Sequence, residues 1–321
     1  MKVSIIIPTY NRCSLLKNCL DSLTKQDYPT ENLEIIISDN DSADQTHALV
    51  KEYVDKYSGE LDIIYVVDKR KGLVYVRHSG AIISNGEILL FGDDDGIYDA
   101  NWVSEIIKVY KEFPDVKAVG SKIVIDWDKE PESWVKNYEP FLGKLIYGTQ
   151  TIVSAALQIN GGSFSIRRDT LFELGGFNPD QVGELYIGDG ETGLCKKMHK
   201  MGYLVGWTPA TSMHHIQFVG KNGTKKDIIR RHMNYGICIP YNLFVSDRLG
   251  YSGLLKNSFN VLFKKVPIVL LKRMKYKFKG SRDRALQLYF EYYFYKAQLP
   301  YSFRIVFNKE FRNYILKTNW F

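Results

Sequence analysis

Residues 87–96 read Glu87-Ile88-Leu89-Leu90-Phe91-Gly92-Asp93-Asp94-Asp95-Gly96, so three consecutive carboxylates directly follow an apolar run. Such a run is typical of a strand buried inside a sheet. Three neighbouring ionised carboxylates repel one another unless a cation lies among them. Because side chains two apart in an extended segment point the same way, Asp93 and Asp95 predict a site for Mg²⁺ or Mn²⁺. A solvated acidic turn is the alternative.

Strands and helices alternate on both sides of this stretch. The predicted strands are residues 3–7, 33–37, 61–67, 87–91 and 116–125, and the predicted helices are 14–26, 43–57, 74–84 and 102–113. This order predicts an α/β fold with a mostly parallel sheet flanked by helices. Ligands bind beyond the carboxyl ends of such strands. Pro8-Thr9-Tyr10-Asn11, Asp39-Asn40-Asp41 and Asp93-Asp94-Asp95 each follow a strand, so we expect them at one edge.

The pattern changes after the fifth strand. Residues 126–147 lose their periodicity but carry five aromatic side chains, which favours an ordered lid. Further on, residues 161–166 and 203–207 predict strands, and residues 169–174 and 189–201 predict helices. The chain becomes helical and basic after Gly223. We therefore expect a catalytic domain over 1–220 and a helical extension over 221–321.

Two common nucleotide-binding signatures are missing from the sequence. The turn after the first strand, Pro8-Thr9-Tyr10-Asn11-Arg12, contains no glycine, so the Gly-x-Gly-x-x-Gly cradle of nicotinamide dehydrogenases is absent. No Gly-x-x-x-x-Gly-Lys-Ser/Thr phosphate loop occurs either. The sequence therefore disfavours a nicotinamide dehydrogenase.

Five stretches in a fixed order resemble the family-2 glycosyltransferases of the GT-A fold. They are VSIIIPTYNR, EIIISDNDSADQT, KGLVYVRHSGAIISNGEILLFGDDD, NGGSFSIRRDTLFELGGF and GDGETGLCKKMHKMGY, and they lie within residues 1–220. The resemblance implies a nucleotide-sugar donor, with a UDP-sugar favoured, a divalent cation (Mn²⁺ or Mg²⁺) and an inverting transfer.

The resemblance also implies roles for individual residues. Those expected to bind the nucleotide sugar are Pro8, Thr9, Tyr10, Asp39, Arg77, Asp93 and Asp94. Those expected to bind the metal are Asp93, Asp95 and His215, the last following a Pro-x-Ala step. An Asx turn at Asp39, a surface charge at Arg77 and a structural histidine at His215 are the respective alternatives.

The catalytic base is expected near the start of the helix over 189–201. In the family it is usually the second residue of a Glu-Asp pair, some eleven residues before a Gly-aromatic step. This chain instead reads Gly188-Asp189-Gly190-Glu191, and Gly202-Tyr203 lies eleven residues after Glu191. Glu191 is therefore the expected base and Asp189 the second candidate. A carboxylate that only stabilises the helix N-terminus is the alternative.

The charge of the chain is distributed unevenly. The net charge is +7, but residues 251–321 hold 15 Lys and Arg against 3 Asp and Glu, while residues 1–250 carry −5. Leu254, Leu255, Phe259, Leu262 and Phe263 lie at helical spacing among these lysines. A basic amphipathic helix on an anionic membrane surface fits this pattern, and so does a helical subdomain packed on the catalytic domain. No base-reading motif favours nucleic acid as a partner.

Cysteine content and the chain's first residues bear on location. Four cysteines in 321 residues, with no CxxC pair, favour reduced thiols over a disulfide framework or a zinc site. Pro8 interrupts the first apolar run too early for a signal core, and no run reaches the roughly 18 apolar residues of a membrane span. We expect a cytoplasmic protein, peripheral on the inner face of the cell membrane if the basic segment binds lipid.

The sequence as a whole predicts a glycosyltransferase. The expected acceptor is a glycan or lipid-linked glycan of surface polysaccharide biosynthesis. A sugar-nucleotide pyrophosphorylase would share the architecture but would need a glycine-rich, basic first loop, which is absent. A non-catalytic carbohydrate- or membrane-binding protein is the main alternative, because it would keep the fold without needing Asp93, Asp95 and Glu191 together.

Overall fold

The secondary structure follows the predicted alternation through its first half. The computed structural model describes residues 1–182 and 185–321. Its strands are β1 (Val3–Thr9), β2 (Leu33–Asp39), β3 (Asp62–Val67), β4 (Ile88–Gly92), β5 (Gly96–Tyr98), β6 (Val116–Trp127), β7 (Ile152–Ser154), β8 (Ser163–Arg167), β9 (Gln181–Val182), β10 (Leu185–Tyr186) and β11 (Leu204–Gln217).

The α-helices interleave with these strands and then dominate the last hundred residues. They are α1 (Cys13–Leu23), α2 (Thr46–Lys56), α3 (Leu73–Ile83), α4 (Trp102–Glu112), α5 (Ser133–Lys136), α6 (Arg168–Glu173), α7 (Gly190–Lys200), α8 (Lys225–Tyr241), α9 (Gly250–Asn260), α10 (Val266–Phe278), α11 (Arg282–Phe307) and α12 (Lys309–Ile315). Short 3₁₀ turns occupy Thr30–Asn32 and Glu139–Leu142, and π turns occupy Asn242–Ser246 and Val261–Lys265.

All strands except β9 and β10, which pair with each other in a separate two-stranded sheet, form one mixed sheet that is less parallel than the sequence predicted. Its order is β3-β2-β1-β4-β8-β6-β11-β5, with β7 also paired to β11. The first four strands are mutually parallel, and β6 is parallel to β11. Between these groups β8 lies antiparallel to both β4 and β6. Strand alternation along the chain could not reveal this insertion, because β8 pairs with strands far from it in sequence.

The sheet buries both of its faces, as the continuous apolar strands predict. Ile5 and Ile7 of β1 pack with Leu16 and Trp102 in one cluster. Ile6, which lies between them in the sequence, points to the other face of the sheet and belongs to a second cluster that includes Phe91. All of these side chains are fully buried. Truncating one of them to alanine would cost about 2–5 kcal/mol of folding free energy.

Strand β11 is longer than predicted, and the difference shapes the site. The expected strand covered residues 203–207, and Pro209, just beyond it, lacks a backbone N–H. Instead the register with β6 shifts between Thr208 and Ser212, and pairing then continues to Gln217. A bulge accommodates the proline in this way. Beyond it, His215 pairs opposite Gly96 of β5, which brings it beside the acidic triplet.

The predicted lid over 126–147 is an ordered segment. It holds the end of β6, helix α5 and a 3₁₀ turn. Its aromatic side chains pack with the C-terminal helices, since Tyr138 and Phe141 contact His232 and Tyr138 contacts Phe290. A Cβ on Gly143, which has φ +103°, would lie 3.3 Å from the ring of His215. The segment therefore closes over one side of the acidic edge.

Helix α12 and the residues that follow it pack on the α/β part of the protein. The Tyr314 hydroxyl contacts the Tyr75 hydroxyl at 2.9 Å, and the backbone N–H of Trp320 donates to Gly175 O at 2.9 Å. Phe321 stacks on Phe172 with ring centroids 4.3 Å apart. Among the described residues, no helix combines the length and hydropathy that crossing a membrane requires.

Candidate active site

The carboxyl ends of β1, β2 and β4 surround a cavity of about 650 Å³. This volume lies within the range of small-molecule sites. The expected site residues that line it are Pro8, Thr9, Tyr10, Asp93, Asp94, Asp95 and His215, together with Arg12, Asn40, Lys71, Gly72, Leu73 and Val76. Sequence analysis thus predicted more than half of the residues that line this cavity, although these residues lie up to about two hundred positions apart in the chain.

Asp93, Asp95 and His215 offer ligand atoms that all lie within 4.8 Å of one another. Asp95 Oδ1 is buried and lies 3.1 Å from His215 Nε2, but the contact lacks hydrogen-bond geometry, so this oxygen accepts no hydrogen bond from the part of the chain that the structure describes. Burial also raises the pKa of Asp93 above its usual range, although Arg77 opposes that shift. Two carboxylates and an imidazole are a suitable donor set for Mn²⁺ or Mg²⁺, so the residues present fit such an ion.

The neighbouring histidine takes a different position. Ring nitrogens of His214 lie 3.0 Å from Asp126 and 3.4 Å from Asp99. It therefore points away from the acidic triplet.

Asp94 points inward and takes no part in the three-residue cluster. Its carboxylate accepts hydrogen bonds from Thr9 Oγ1 at 2.8 Å and from Arg12 Nη1 at 2.9 Å. Burial raises the pKa of Asp94 to about 6. Arg12 Nη1 also lies 3.1 Å from Asp95 Oδ2. Sequence reasoning missed Arg12, and its position directly after Pro8-Thr9-Tyr10-Asn11 was the only available signal.

Tyr98 fixes the backbone of the triplet and was also missed. Its hydroxyl accepts a hydrogen bond from Asp93 N–H at 2.8 Å and donates to Gly162 O at 3.2 Å. A Cβ on Gly92 or Gly96 would collide with the Tyr98 ring or hydroxyl. Because Gly92 and Gly96 have no side chains, there is room for Tyr98 beside the acidic triplet.

Asp39 lies at the end of β2, opposite Thr9, but does not line the cavity. Its Oδ1 accepts from the Ser42 backbone N–H at 3.1 Å and from Ser42 Oγ at 2.5 Å. Its Oδ2 accepts from the Tyr65 hydroxyl at 2.5 Å. Both oxygens are thus engaged within the protein, as the alternative of a local turn anticipated. Tyr10 and Lys71 are both exposed at this edge, and Lys71 Nζ lies 4.7 Å from the centre of the Tyr10 ring.

Arg77 is buried beneath the cavity and joins two carboxylates. Its side chain is 4% exposed, so it is not the surface charge of the alternative interpretation. Nη2 lies 3.4 Å from Asp93 Oδ1, and Nη1 lies 3.6 Å from Glu191 Oε2. Burial alone would lower the pKa of this guanidinium, but Glu191 and Asp93 raise it above its ordinary value. Arg77 is absent from the cavity lining, so its position differs from the one expected of a nucleotide ligand.

A pair of glycines makes room for this arrangement. A Cβ on Gly161 would stand 2.6 Å from Arg77 Nη2, and one on Gly162 would stand 3.2 Å from Asp93 Oδ2. Both residues belong to the Asn160-Gly161-Gly162 stretch that precedes β8. Sequence reasoning noted the stretch without assigning it a role.

The two candidate bases differ in their surroundings. The side chain of Glu191, in the first turn of α7, is 24% exposed and is held by Arg77. The side chain of Asp189 is 1% exposed. It accepts from Asn178 Nδ2 at 2.8 Å and from Lys196 Nζ at 3.3 Å. Glu191 is therefore the carboxylate that an incoming hydroxyl could reach.

Comparison with known proteins adds to this geometry. The model of the family described as Glycosyl transferase family 2 matches residues 4–175. The chain belongs to glycosyl transferase family 2. The matched region contains β1 to β8 and therefore the whole acidic edge except His215.

Two curated relatives resemble this chain over part of its length. A glucosyl-dolichyl phosphate glucuronosyltransferase of Haloferax volcanii is 25% identical over 207 residues, which are 62% of this chain and 64% of that protein. A dolichyl N-acetyl-α-D-glucosaminyl phosphate 3-β-D-2,3-diacetamido-2,3-dideoxy-β-D-glucuronosyltransferase of Methanococcus voltae is 34% identical over 151 residues, covering 46% and 44%. The matches thus span about half to two thirds of these relatives' lengths.

A solved structure confirms the GT-A fold of this family-2 member. The mannosyltransferase PcManGT of Pyrobaculum calidifontis, in complex with GDP-Man and Mn²⁺, superposes with a TM-score of 0.62 at 19% identity. The alignment covers 96% of this chain and 88% of PcManGT. It therefore includes the helical C-terminal region as well as the sheet.

Proposed function

We propose that the protein is a metal-dependent, inverting glycosyltransferase that moves a sugar from a nucleotide-sugar donor to a hydroxyl of a glycan or lipid-linked acceptor. The observation that carries the proposal is the bridge made by Arg77 between Asp93 and Glu191. One buried guanidinium thus lies next to a carboxylate that would bind the metal and next to the partly exposed carboxylate of Glu191. Asp93 would serve the donor diphosphate through the metal, and Glu191 would serve the acceptor hydroxyl.

The donor would occupy the 650 Å³ cavity. Asp93, Asp95 and His215 would hold Mn²⁺ or Mg²⁺, which would neutralise the negative charge of the departing diphosphate. Thr9 and Pro8 form the wall beside β1, and the exposed Tyr10 ring offers a surface on which a base can stack. We favour a UDP-sugar. Among the structural neighbours, PcManGT is in complex with GDP-Man and Mn²⁺, and GalNAc-T7 is in complex with UDP, GalNAc and Mn²⁺.

Glu191 would act as the general base. An alcohol is a weak nucleophile at neutral pH, so a carboxylate must take its proton as the new bond forms. The acceptor oxygen then bonds to the anomeric carbon, the bond from that carbon to the diphosphate oxygen breaks, and attack opposite the leaving group inverts the centre. Arg77 fixes the Glu191 carboxylate relative to Asp93. Asp189 is assigned to positioning, because its oxygens bond to Asn178 and Lys196.

A second cavity, of about 680 Å³, is the proposed acceptor site. Its apolar walls come from α8 (Ile229, Met233 and Ile237) and α11 (Ala297 and Pro300), and its rim carries Lys221, Lys226, Arg230 and Arg304. Tyr186 and Tyr301 also line this cavity, and the Tyr301 hydroxyl donates to Ile187 O. Burial raises the pKa of the Tyr186 hydroxyl, and the nearby Glu191 carboxylate adds to that shift. An apolar slot with a cationic rim suits a phosphorylated lipid, the acceptor class that the relatives' names also suggest.

A lipid-linked acceptor would bring the protein to a membrane. We therefore propose a role in surface polysaccharide or glycan biosynthesis and a cytoplasmic location, peripheral on the inner face of the cell membrane. The proposed division of labour is a catalytic domain over 1–220 and a helical extension over 221–321 that supplies α8 and α11 to the acceptor cavity.

The decisive experiment compares Glu191→Gln with Asp189→Asn. Glu191→Gln should lower transfer by roughly 10²-fold or more while Mn²⁺-dependent nucleoside diphosphate binding stays unchanged. Asp189→Asn should lower the thermal stability of the protein more strongly than it lowers the rate of transfer per folded molecule. An active Glu191→Gln enzyme beside an inactive but folded Asp189→Asn enzyme would assign the base to Asp189.

The same comparison tests the non-catalytic alternative. A carbohydrate-binding protein would bind its ligand equally well in both variants and would release no nucleoside diphosphate from any donor. Met233→Trp adds a test of the acceptor cavity, since it should raise the KM for acceptor without changing nucleoside diphosphate affinity.

A further inference from the structure

Helices α9 and α10, with the π turn between them, form one helical stretch with a stripe of exposed apolar side chains. The members of this stripe are between 55% and 87% exposed, and we call them the α9–α10 face: Leu255, Phe259, Phe263, Leu271, Met274 and Phe278. An apolar patch this long on a water-soluble surface marks an interaction site.

The spacing of the stripe is helical from end to end. Successive members are three, four or eight residues apart, with the exposed Pro267 in the long interval. The π turn over Val261–Lys265 closes i→i+5 bonds and so winds less per residue than an α-helix. This smaller rotation keeps the members in α10 close to the side on which those in α9 lie.

The opposite side of the same stretch is held by the rest of the protein. Leu254 is buried in a cluster with Ile187 and Tyr301, and Val269 of α10 is buried too. The guanidinium of Arg273 lies 4.2 Å from the Tyr289 ring of α11. The outward direction of the α9–α10 face is therefore fixed by packing.

The charge of the residues around the α9–α10 face indicates which kind of partner the face would bind. Residues 248–282 contain ten Lys and Arg and no Asp or Glu. Lys256, Lys264 and Lys275 are among the exposed ones. A second copy of the chain would place these like charges against each other, which disfavours a homodimer through this face. An anionic surface that also accepts apolar side chains satisfies both features.

We propose that the α9–α10 face binds an anionic lipid bilayer, lying in the plane of the membrane with its apolar stripe at the acyl boundary and its cations among the headgroups. This assigns membrane contact to residues 248–282 alone, while α11 and α12 pack on the catalytic part. The inference deepens the proposed function and rests on it for its purpose. Because Leu254 and Ile187 belong to the same buried cluster, membrane binding would bring the segment that carries Glu191 near the bilayer.

The test uses the full chain and sedimentation with vesicles of phosphatidylglycerol and phosphatidylcholine. The double variant Phe259→Ser, Phe263→Ser should lose at least about tenfold in vesicle affinity, since buried apolar area strengthens in-plane binding. Phe303→Ser, Phe307→Ser is the matched control. These two side chains form a similar exposed pair, stacked at 6.2 Å against 5.5 Å for Phe259 and Phe263, but lie outside the acid-free segment.

Charge provides the second arm. Lys264→Glu, Lys265→Glu should weaken binding, and raising the salt concentration should weaken it for the unchanged protein. Binding to phosphatidylcholine alone that equals binding to the mixed vesicles would overturn the proposal. So would equal loss in the phenylalanine pair and its control, or concentration-dependent self-association through this face in place of vesicle binding. Since no donor or acceptor is present, these results are independent of whether the protein transfers a sugar.

Discussion

His78 predicts an acid-sensitive step in the stability of the fold. It is fully buried on α3, where Nε2 accepts a hydrogen bond from Phe177 N–H at 2.9 Å. Nδ1 lies 3.0 Å from Trp320 O, so the proton of the neutral ring resides on Nδ1 and is donated to that carbonyl. Protonating Nε2 would remove the acceptor that the Phe177 N–H group uses.

The size of the effect follows from the pKa. Burial lowers the pKa of His78 from 6.5 to about 4. Because the folded pKa lies below the unfolded one, His78 favours folding above pH 6.5, and this contribution is lost as the pH falls towards 4. A shift of this size corresponds to about 3 kcal/mol.

Urea unfolding at neutral pH and near the folded pKa would measure this contribution. The protein with His78 should lose about 3 kcal/mol more between the two conditions than His78→Asn does, although the variant starts from a lower stability. Carboxylates that titrate in the same pH range contribute equally to the unchanged protein and to His78→Asn, so their contribution cancels in this comparison. His47→Asn, at an exposed position on α2, is the control and should behave like the unchanged protein. Equal losses for the unchanged protein and His78→Asn would refute the reasoning.

Two further substitutions test the site and the core. Gly161→Ala should displace the Arg77 guanidinium, because the new Cβ would lie 2.6 Å from Nη2, and so should lower kcat while Mn²⁺-dependent nucleoside diphosphate binding, followed by calorimetry, is retained. Glu34→Gln should destabilise the fold by about 1–3 kcal/mol in urea unfolding, because the buried carboxylate accepts from Ser4 Oγ and from both Asn85 nitrogens; Glu31→Gln, on the surface, should not.

Local pattern was sufficient to predict the first half of the fold. The apolar strands 3–7, 33–37 and 87–91 are each seen within two residues of their predicted ends. Periodicity and strand-end chemistry are properties of short segments, so they also located Thr9, Tyr10 and Asp93 at one edge. What local pattern lacks is information on which distant strands pair, and the antiparallel insertion of β8 was missed for that reason.

The unpredicted parts of the site depend on contacts between distant segments. Arg12 pairs with Asp94, which lies 82 residues away in the sequence. The Tyr98 hydroxyl reaches the acidic triplet because Gly92 and Gly96 carry no side chain that would collide with it. His215 reaches Asp95 only because β11 continues past the bulge at Pro209. A proline in a strand usually signals its end, so a reading of β11 alone stops too early.

Metal-dependent binding of a nucleoside diphosphate tests the central claim most directly. We expect UDP to raise the melting temperature of the protein in the presence of Mn²⁺ and much less in its absence, because a ligand that binds only the folded state stabilises it. Asp95→Ala should abolish the Mn²⁺-dependent part, whereas Asp115→Ala, an exposed carboxylate at the start of β6, should leave it intact. An unchanged Mn²⁺-dependent shift in the double variant Asp93→Ala, Asp95→Ala would contradict the account.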